Sequence, residues 1–313
     1  MKAFVFPGQG SQFVGMGKDL AEAFPIARAV FEEVDDALGQ KLSALMFEGP
    51  DTDLNLTENT QPALMAVSVA IARILQDAKP DLFTNAHCKF VAGHSLGEYS
   101  ALTAAGSFTL ADAARLLKLR GQAMQKAVPV GVGAMAAILG LELPDVMEIA
   151  KAASNHEIVS SANDNSYGQV VVSGHKAAVE KAVALATEKG AKRAILLPVS
   201  APFHCALMQP AADAMQAALA SANIQAPSVP LVANVIASDV TDPAKIRTLL
   251  VEQVTGMVRW RESVLFMKTQ GVAETVELGA GKVLTGLTKR IDGDMTGRAI
   301  GTPKDIEDFA GTL

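Results

Sequence analysis

One stretch leaves the backbone few paths. Phe90-Val91-Ala92 is an apolar run that passes directly into Gly93-His94-Ser95-Leu96-Gly97-Glu98-Tyr99. The pattern reads strand, sharp turn, helix, with Ser95 at the apex, and Gly93-x-Ser95-x-Gly97 matches the nucleophile-elbow motif. Both glycines lack Cβ where the backbone must pass closest to itself. The N–H groups at the helix start would favour negative charge beside Ser95. A glycine-flanked serine can also be a plain turn residue, so the motif admits a nucleophile or a turn.

The rest of the chain suits a large α/β protein. It has 313 residues, half of them hydrophobic and 19% charged, enough for a sizeable core in one large domain or one domain with an insertion. The net charge of −6, without a dense basic cluster, argues against a nucleic-acid surface. Cys88 and Cys205 give neither a disulfide framework nor metal-ligand spacing. The apolar start at residues 2–6 stops at Pro7-Gly8, too short for a signal-peptide core. No apolar run reaches the roughly 18 residues of a membrane helix. No membrane contact and a cytoplasmic protein are expected.

Taken in order, residues 2–6 predict a buried strand running into the loop Pro7-Gly8-Gln9-Gly10-Ser11-Gln12. That loop is either a simple strand-to-helix turn or one whose N–H groups face a ligand. It is no dinucleotide fingerprint, because Phe13 holds the third glycine position. Helices are predicted over 17–38, from about Thr60-Gln61-Pro62 to Lys79-Pro80, and from the elbow to about Gly106. Thr109-x-x-Asp112 then caps a helix whose apolar stripe is Leu110, Ala113, Ala114, Leu117 and Met124. Arg120 falls on the edge of that stripe, whereas Arg115 and Lys126 point away. An arginine there needs an anionic partner, either an internal carboxylate or the carboxylate of a substrate.

Residues 130–198 change rhythm. Strands over 134–139, 157–162, 169–173 and 192–199 alternate with two helices, and the turn-rich Asn163-Asp164-Asn165-Ser166-Tyr167-Gly168 separates the middle pair. The order βαββαβ predicts an inserted ferredoxin-like domain. The domains are therefore 1–129 with 199–313, and 130–198. After Ser200-Ala201-Pro202-Phe203-His204 come an alanine-rich helix, a strand over 229–236, helices over 243–254 and 262–269, and a strand over 273–278. Gly131-x-Gly133-x-x-Ala136 precedes a strand, so it is no dinucleotide loop, and Gly279-Ala280-Gly281-Lys282 is no P-loop.

With Ser95, Arg120 and His204 placed, the chain resembles the malonyl-CoA:acyl carrier protein transacylases of bacterial fatty-acid synthesis, nearly end to end. The stretches that carry the resemblance are Phe6-Pro7-Gly8-Gln9-Gly10-Ser11-Gln12, Gly93 to Tyr99, Arg120-Gly121, Gly133-Ala134-Met135-Ala136, Gly174-His175, Ser200-x-Pro202-x-His204-Cys205 and Gly281-Lys282-Val283-Leu284. The resemblance implies an α/β-hydrolase-like large domain, a ferredoxin-like small one and a cleft between them. It implies a ping-pong reaction in which Ser95, assisted by His204, takes malonyl from malonyl-CoA and passes it to the phosphopantetheine thiol of acyl carrier protein. Gln9 and Leu96 map onto the oxyanion-hole N–H groups, Gln253 onto the residue whose carbonyl orients the histidine, and Arg120 onto the malonate clamp. Asn163, Asn165 and Met124 are placed with the substrate. No resident cofactor is implied, coenzyme A thioester being substrate, and a monomer is expected. Phe203, where many relatives carry a small residue, would narrow the acyl pocket. Tyr167, where a proline is frequent, would alter the small-domain rim.

Two other readings compete. A serine acyl hydrolase fits poorly because no histidine follows His204, although a patatin-like Ser95–Asp292 dyad is conceivable. A non-catalytic carrier-protein docking subunit would leave the serine, histidine and arginine unexplained. A histidine base also predicts activity that falls at acid pH.

Overall fold

The computed structural model describes residues 1–199 and 201–312, so Ser200 lies outside the described residues. These form ten strands in two sheets. The strands are β1 (Lys2–Phe6), β2 (Cys88–Gly93), β3 (Gly133–Leu139), β4 (Val159–Ser166), β5 (Gln169–His175), β6 (Arg193–Leu196), β7 (Leu231–Ala233), β8 (Ser238–Val240), β9 (Glu274–Leu278) and β10 (Thr296–Ile300).

The larger sheet has the order β10-β9-β1-β2-β7-β8, parallel except for the β7–β8 hairpin. Its central strands are apolar on both faces. Phe4 and Phe6 enter one core with the almost wholly buried helix Thr57–Ala78. Ala3 and Val5 enter another with Trp260, Val264 and Leu284 from helices Trp260–Thr269 and Val283–Ile291. Period-two alternation between two apolar layers is what a parallel sheet covered on both sides requires. In register, Phe6 lies beside Gly93. The loops after β1 and β2 therefore leave together at the carboxyl end of the sheet, where open parallel sheets place ligands.

The smaller sheet runs β4-β5-β3-β6, with every neighbouring pair antiparallel. Helices Leu143–Ala153 and Lys176–Glu188 close one face over Val146, Ile149, Val179 and Ala182. From the other face Met135, Ala162 and Val171 join the core of the larger sheet. The N–H of Val258 donates to Ala162 O at 2.8 Å and that of Asp164 to Val258 O at 2.9 Å. The Arg261 guanidinium holds the buried Asp164 carboxylate, Nε to its two oxygens at 2.9 and 3.1 Å. The exposed Tyr167 ring lies 4.9 Å from that guanidinium.

Some expectations on elements are corrected. The helix over 17–38 is two, Lys18–Ala23 and Pro25–Leu38, with Phe24 extended between them. Pro25 lacks an N–H and disfavours a helical residue before it, so the chain restarts there. Two short helices, Leu42–Glu48 and Asp51–Leu54, follow, and the helix expected from about Thr60 starts at Thr57 and carries Pro62 inside it. Asn163, Asp164 and Asn165 are not a turn. They belong to β4, and the reversal is confined to Tyr167-Gly168. Their side chains favour turns, but the ladder to β5 holds the backbone extended.

Candidate active site

Ser95 sits at φ 53° between β2 and helix Gly97–Ala104. Left-handed backbone is costly for a residue with a side chain, and the surroundings enforce it. A Cβ on Gly93 would lie 1.9 Å from the carbonyl carbon of Gly97, and one on Gly97 would lie 2.3 Å from Phe6 O. Only glycine fits at either position, and the serine hydroxyl is lifted clear of the sheet.

His204 follows the turn at Pro202 and is buried, also at positive φ. Its Nδ1 lies 2.9 Å from Gln253 O and 3.2 Å from Gly256 O. Carbonyls only accept, so Nδ1 carries the proton and Nε2 is free as a base. Nε2 lies 2.7 Å from Ser95 Oγ. The serine–histidine contact of general-base catalysis is thus in place.

Arg120 arrives from helix Leu110–Lys126, capped by Thr109 Oγ1 accepting the Asp112 N–H at 3.1 Å. Gly121 lets this helix cross tightly, because a Cβ there would lie 2.5 Å from Glu58 Cα. Arg120 is buried, and its donors meet amide and hydroxyl oxygens. Nη1 donates to Gln61 Oε1 at 2.8 Å, and Nη2 donates to Gln253 Oε1 at 2.8 Å and Ser95 Oγ at 3.2 Å. Among the described residues its hydrogen-bond partners include no carboxylate, although the Glu98 charge is near, and its Nε has no hydrogen-bond partner. The internal salt bridge weighed for it is not found. A cation held only by neutral groups keeps its capacity for an incoming carboxylate.

These groups share one cavity of about 590 Å³. Gln9, Leu96, Met124, Asn163 and Asn165 also line it, as does the Phe203 ring beside His204. Among the described residues the backbone N–H groups of Gln9 and Leu96 donate to nothing within the chain, while the Gln9 side-chain Nε2 donates to Thr57 Oγ1 at 3.4 Å. Asn165 Oδ1 lies 2.8 Å from His94 Nε2, and the Met124 sulfur lies 3.7 Å from Gln61 Nε2. Gln253 is wholly buried behind the cavity, acting through its carbonyl and its amide. Asp292 is elsewhere, ion-paired with Lys268, so the patatin-like dyad is not assembled.

Sequence reasoning missed two residues. The Asn234 side chain straddles the elbow. Its Oδ1 accepts the Ser95 N–H at 2.8 Å and its Nδ2 donates to Gly93 O at 2.7 Å. Glu98, quoted in the motif but given no role, accepts the Asn234 N–H at 2.6 Å and a hydrogen bond from Gln253 Nε2. Burial pushes the Glu98 carboxyl up to about 8, against these hydrogen bonds and the nearby Arg120. Asn234 has no local signal. Glu98 had one, since an acid three residues past the apex stands on the first turn of a buried helix.

Burial, then the Arg120 charge, hold the His204 imidazole down to about 3. The acid loss expected from a solvent-like histidine is therefore displaced. The unfolded chain takes up this proton near pH ~6.5 and the folded chain only near 3, so folded stability falls as pH drops through that window. In a histidine-resolved NMR titration the His204 ring signal should stay fixed from about pH 8 to about pH 5, while the urea midpoint declines below about 6.5. A His204 inflection near 6–7 would mean the ring is not desolvated in solution.

A strained serine against an oriented histidine, with two unpaired backbone N–H groups and a buried cation on one cavity, has the groups that serine-dependent acyl transfer requires. The chain belongs to the acyl transferase family: the family model described as acyl transferase domain matches residues 3–290. It is 50% identical over 301 residues to the malonyl CoA-acyl carrier protein transacylase of Escherichia coli K12, covering 96% of each chain. The crystal structure of acyl-carrier-protein-S-malonyltransferase from Bartonella henselae superposes with a TM-score of 0.97 at 56% identity, covering 99% of this chain and 98% of that one. A malonyl-transacylase solved in complex with its type II PKS acyl-carrier protein superposes at 0.96 with 46% identity, covering 100% and 99%.

Proposed function

We propose that this chain transfers malonyl from malonyl-CoA to the phosphopantetheine thiol of acyl carrier protein, supplying extension units for fatty-acid synthesis. The observation that carries this reading is Arg120, a buried guanidinium that among the described residues hydrogen-bonds to no carboxylate and lies 3.2 Å from the Ser95 hydroxyl. Ser95 attacks the thioester carbonyl as His204 Nε2 takes its proton. The N–H groups of Gln9 and Leu96 stabilise the tetrahedral oxyanion. His204 returns the proton to the departing coenzyme A thiolate, and malonyl remains as an ester on Ser95. The carrier thiol then gives its proton to His204 and attacks that ester, and His204 passes the proton to the departing Ser95 Oγ, restoring the free hydroxyl and neutral imidazole.

In this reading Arg120 pairs with the malonyl carboxylate, an interaction that acetyl cannot offer. Asn163, Asn165 and Met124 shape the acyl end of the cavity, and Phe203 narrows it against branched malonyl groups. The two sheets are read as an α/β-hydrolase-like domain, 1–129 with 199–313, and a ferredoxin-like domain, 130–198. The strand order β4-β5-β3-β6 supports the latter. The reading also takes the protein as a cytoplasmic monomer without a resident cofactor. The free thiols Cys88 and Cys205 suit a reducing compartment.

Intact-protein mass after brief mixing with malonyl-CoA, with acetyl-CoA in parallel, tests the reading. One malonyl adduct on Ser95, not matched by acetyl and discharged by carrier protein, is the expected outcome. An adduct lost to water without carrier would instead favour a hydrolase.

A further inference from the structure

Gln253 is bonded through its whole side chain. Its Nε2 donates to Ser95 O at 2.9 Å and to Glu98, while its Oε1 accepts from Arg120 Nη2 at 2.8 Å. Both groups at the nitrogen end accept and the group at the oxygen end donates, so only one orientation of the amide satisfies all three. Turned over, it would set an NH₂ against the guanidinium and an oxygen against a carboxylate.

Glu98 makes that orientation unequal in its ionised form: burial favours the neutral acid, but an N–H donor points at each oxygen and opposes a proton there. It is 1% exposed, and each of its oxygens receives an N–H, one from Gln253 and one from the Asn234 backbone. Asn234 is in turn bonded to Gly93 O and the Ser95 N–H. One carboxylate therefore reaches the nucleophile through Asn234 and the arginine through Gln253. No direct Glu98–Arg120 ion pair forms, because the amide stands between them. Arg120 is oriented without being neutralised.

We propose that Glu98 is the positioning residue for the acid-binding arginine, acting through the Gln253 amide, and so sets selectivity for carboxylated acyl groups. The inference rests on the malonyl-transfer reading above. A neutral amide at position 98 cannot replace the carboxylate. It has one oxygen for two N–H donors, so either way round it places a donor against a donor.

The experiment compares wild type, Glu98→Gln, Glu98→Asp and Gln253→Met, each checked for a cooperative melt, in steady-state transfer from malonyl-CoA and acetyl-CoA to carrier protein. Gln253→Met removes the bridge but keeps the backbone carbonyl that holds His204, and it decides the matter if Glu98→Gln does not fold. The malonyl-over-acetyl preference should fall at least about tenfold in Glu98→Gln and Gln253→Met, carried mainly by KM for malonyl-CoA. Glu98→Asp, shorter but still accepting twice, should keep more of the preference than the isosteric Glu98→Gln. Parallel losses for both substrates, an intact preference, or better retention in Glu98→Gln than in Glu98→Asp would overturn the assignment. A wild type that does not prefer malonyl would instead overturn the reading on which it rests.

Discussion

Replacing Ser95 by alanine is expected to abolish acyl transfer, with a loss in kcat of at least about 10⁴-fold, while the fold survives. The missing oxygen is the atom that His204 Nε2 faces, 2.7 Å away. Without it no covalent ester forms, and the two half-reactions cannot be separated. The elbow itself does not depend on that oxygen. Its backbone is held by Asn234 at Ser95 N and Gly93 O and by Gln253 at Ser95 O. The melting temperature should therefore move little, and removal of the hydroxyl also relieves Arg120 of one neutral partner. The variant should still bind malonyl-CoA without labelling. Residual labelling at another residue would remove Ser95 from the mechanism.

Replacing Arg120 by alanine should lower kcat/KM for malonyl-CoA by roughly 10²–10³-fold and for acetyl-CoA far less. In the proposed reading the carboxylate of a bound malonyl group is desolvated in the cavity, where the buried guanidinium would meet it. Its other partners, Gln61 and Gln253, offer neutral oxygens, so the positive charge is not consumed internally. Acetyl has no group for it, and in wild type it leaves a buried guanidinium facing apolar surface. The readout is the ratio between the two substrates, measured with carrier protein saturating. Equal losses would reduce Arg120 to a packing and hydrogen-bonding residue. The same truncation should raise the proton affinity of His204, because the Arg120 charge is, after burial, the largest effect that holds the imidazole neutral.

The elbow could be read from ten letters because its constraints are local. A glycine two residues either side of the serine, an apolar strand before and a helix after are neighbours in sequence. Helix Leu110–Lys126 was equally legible, from its Thr109 cap and its apolar stripe. The break at Phe24-Pro25 was overlooked because the apolar spacing on either side continues through it, although the proline alone explains it. The extended Asn163-Asp164-Asn165 went wrong for the opposite reason. Its composition favours a turn, but β5 pairs with it across the two-residue reversal at Tyr167-Gly168, and Val258, far along the chain, pairs with it from the other side. Strands β8 and β10 and the helices after Lys282 were not anticipated; short edge elements bury too little to leave a strong pattern.

Residue chemistry at Ser95, Arg120 and His204, the α/β class and the repeated rhythm of 130–198 follow from the order of amino acids. Propensity, periodicity and glycine stereochemistry act over a few residues, and those are adjacent in the chain. The tertiary structure alone decided that Ser95 meets His204 across 109 positions and that Arg120 hydrogen-bonds to Gln61, Gln253 and Ser95. It alone decided that Glu98, Asn234 and Gln253 form one bonded frame beneath the nucleophile. Those contacts exist because the parallel register of β1, β2 and β7 delivers distant loops to one end of the sheet. Burial there removes water as a competing partner, so each polar group must be satisfied by another that folding brings to it.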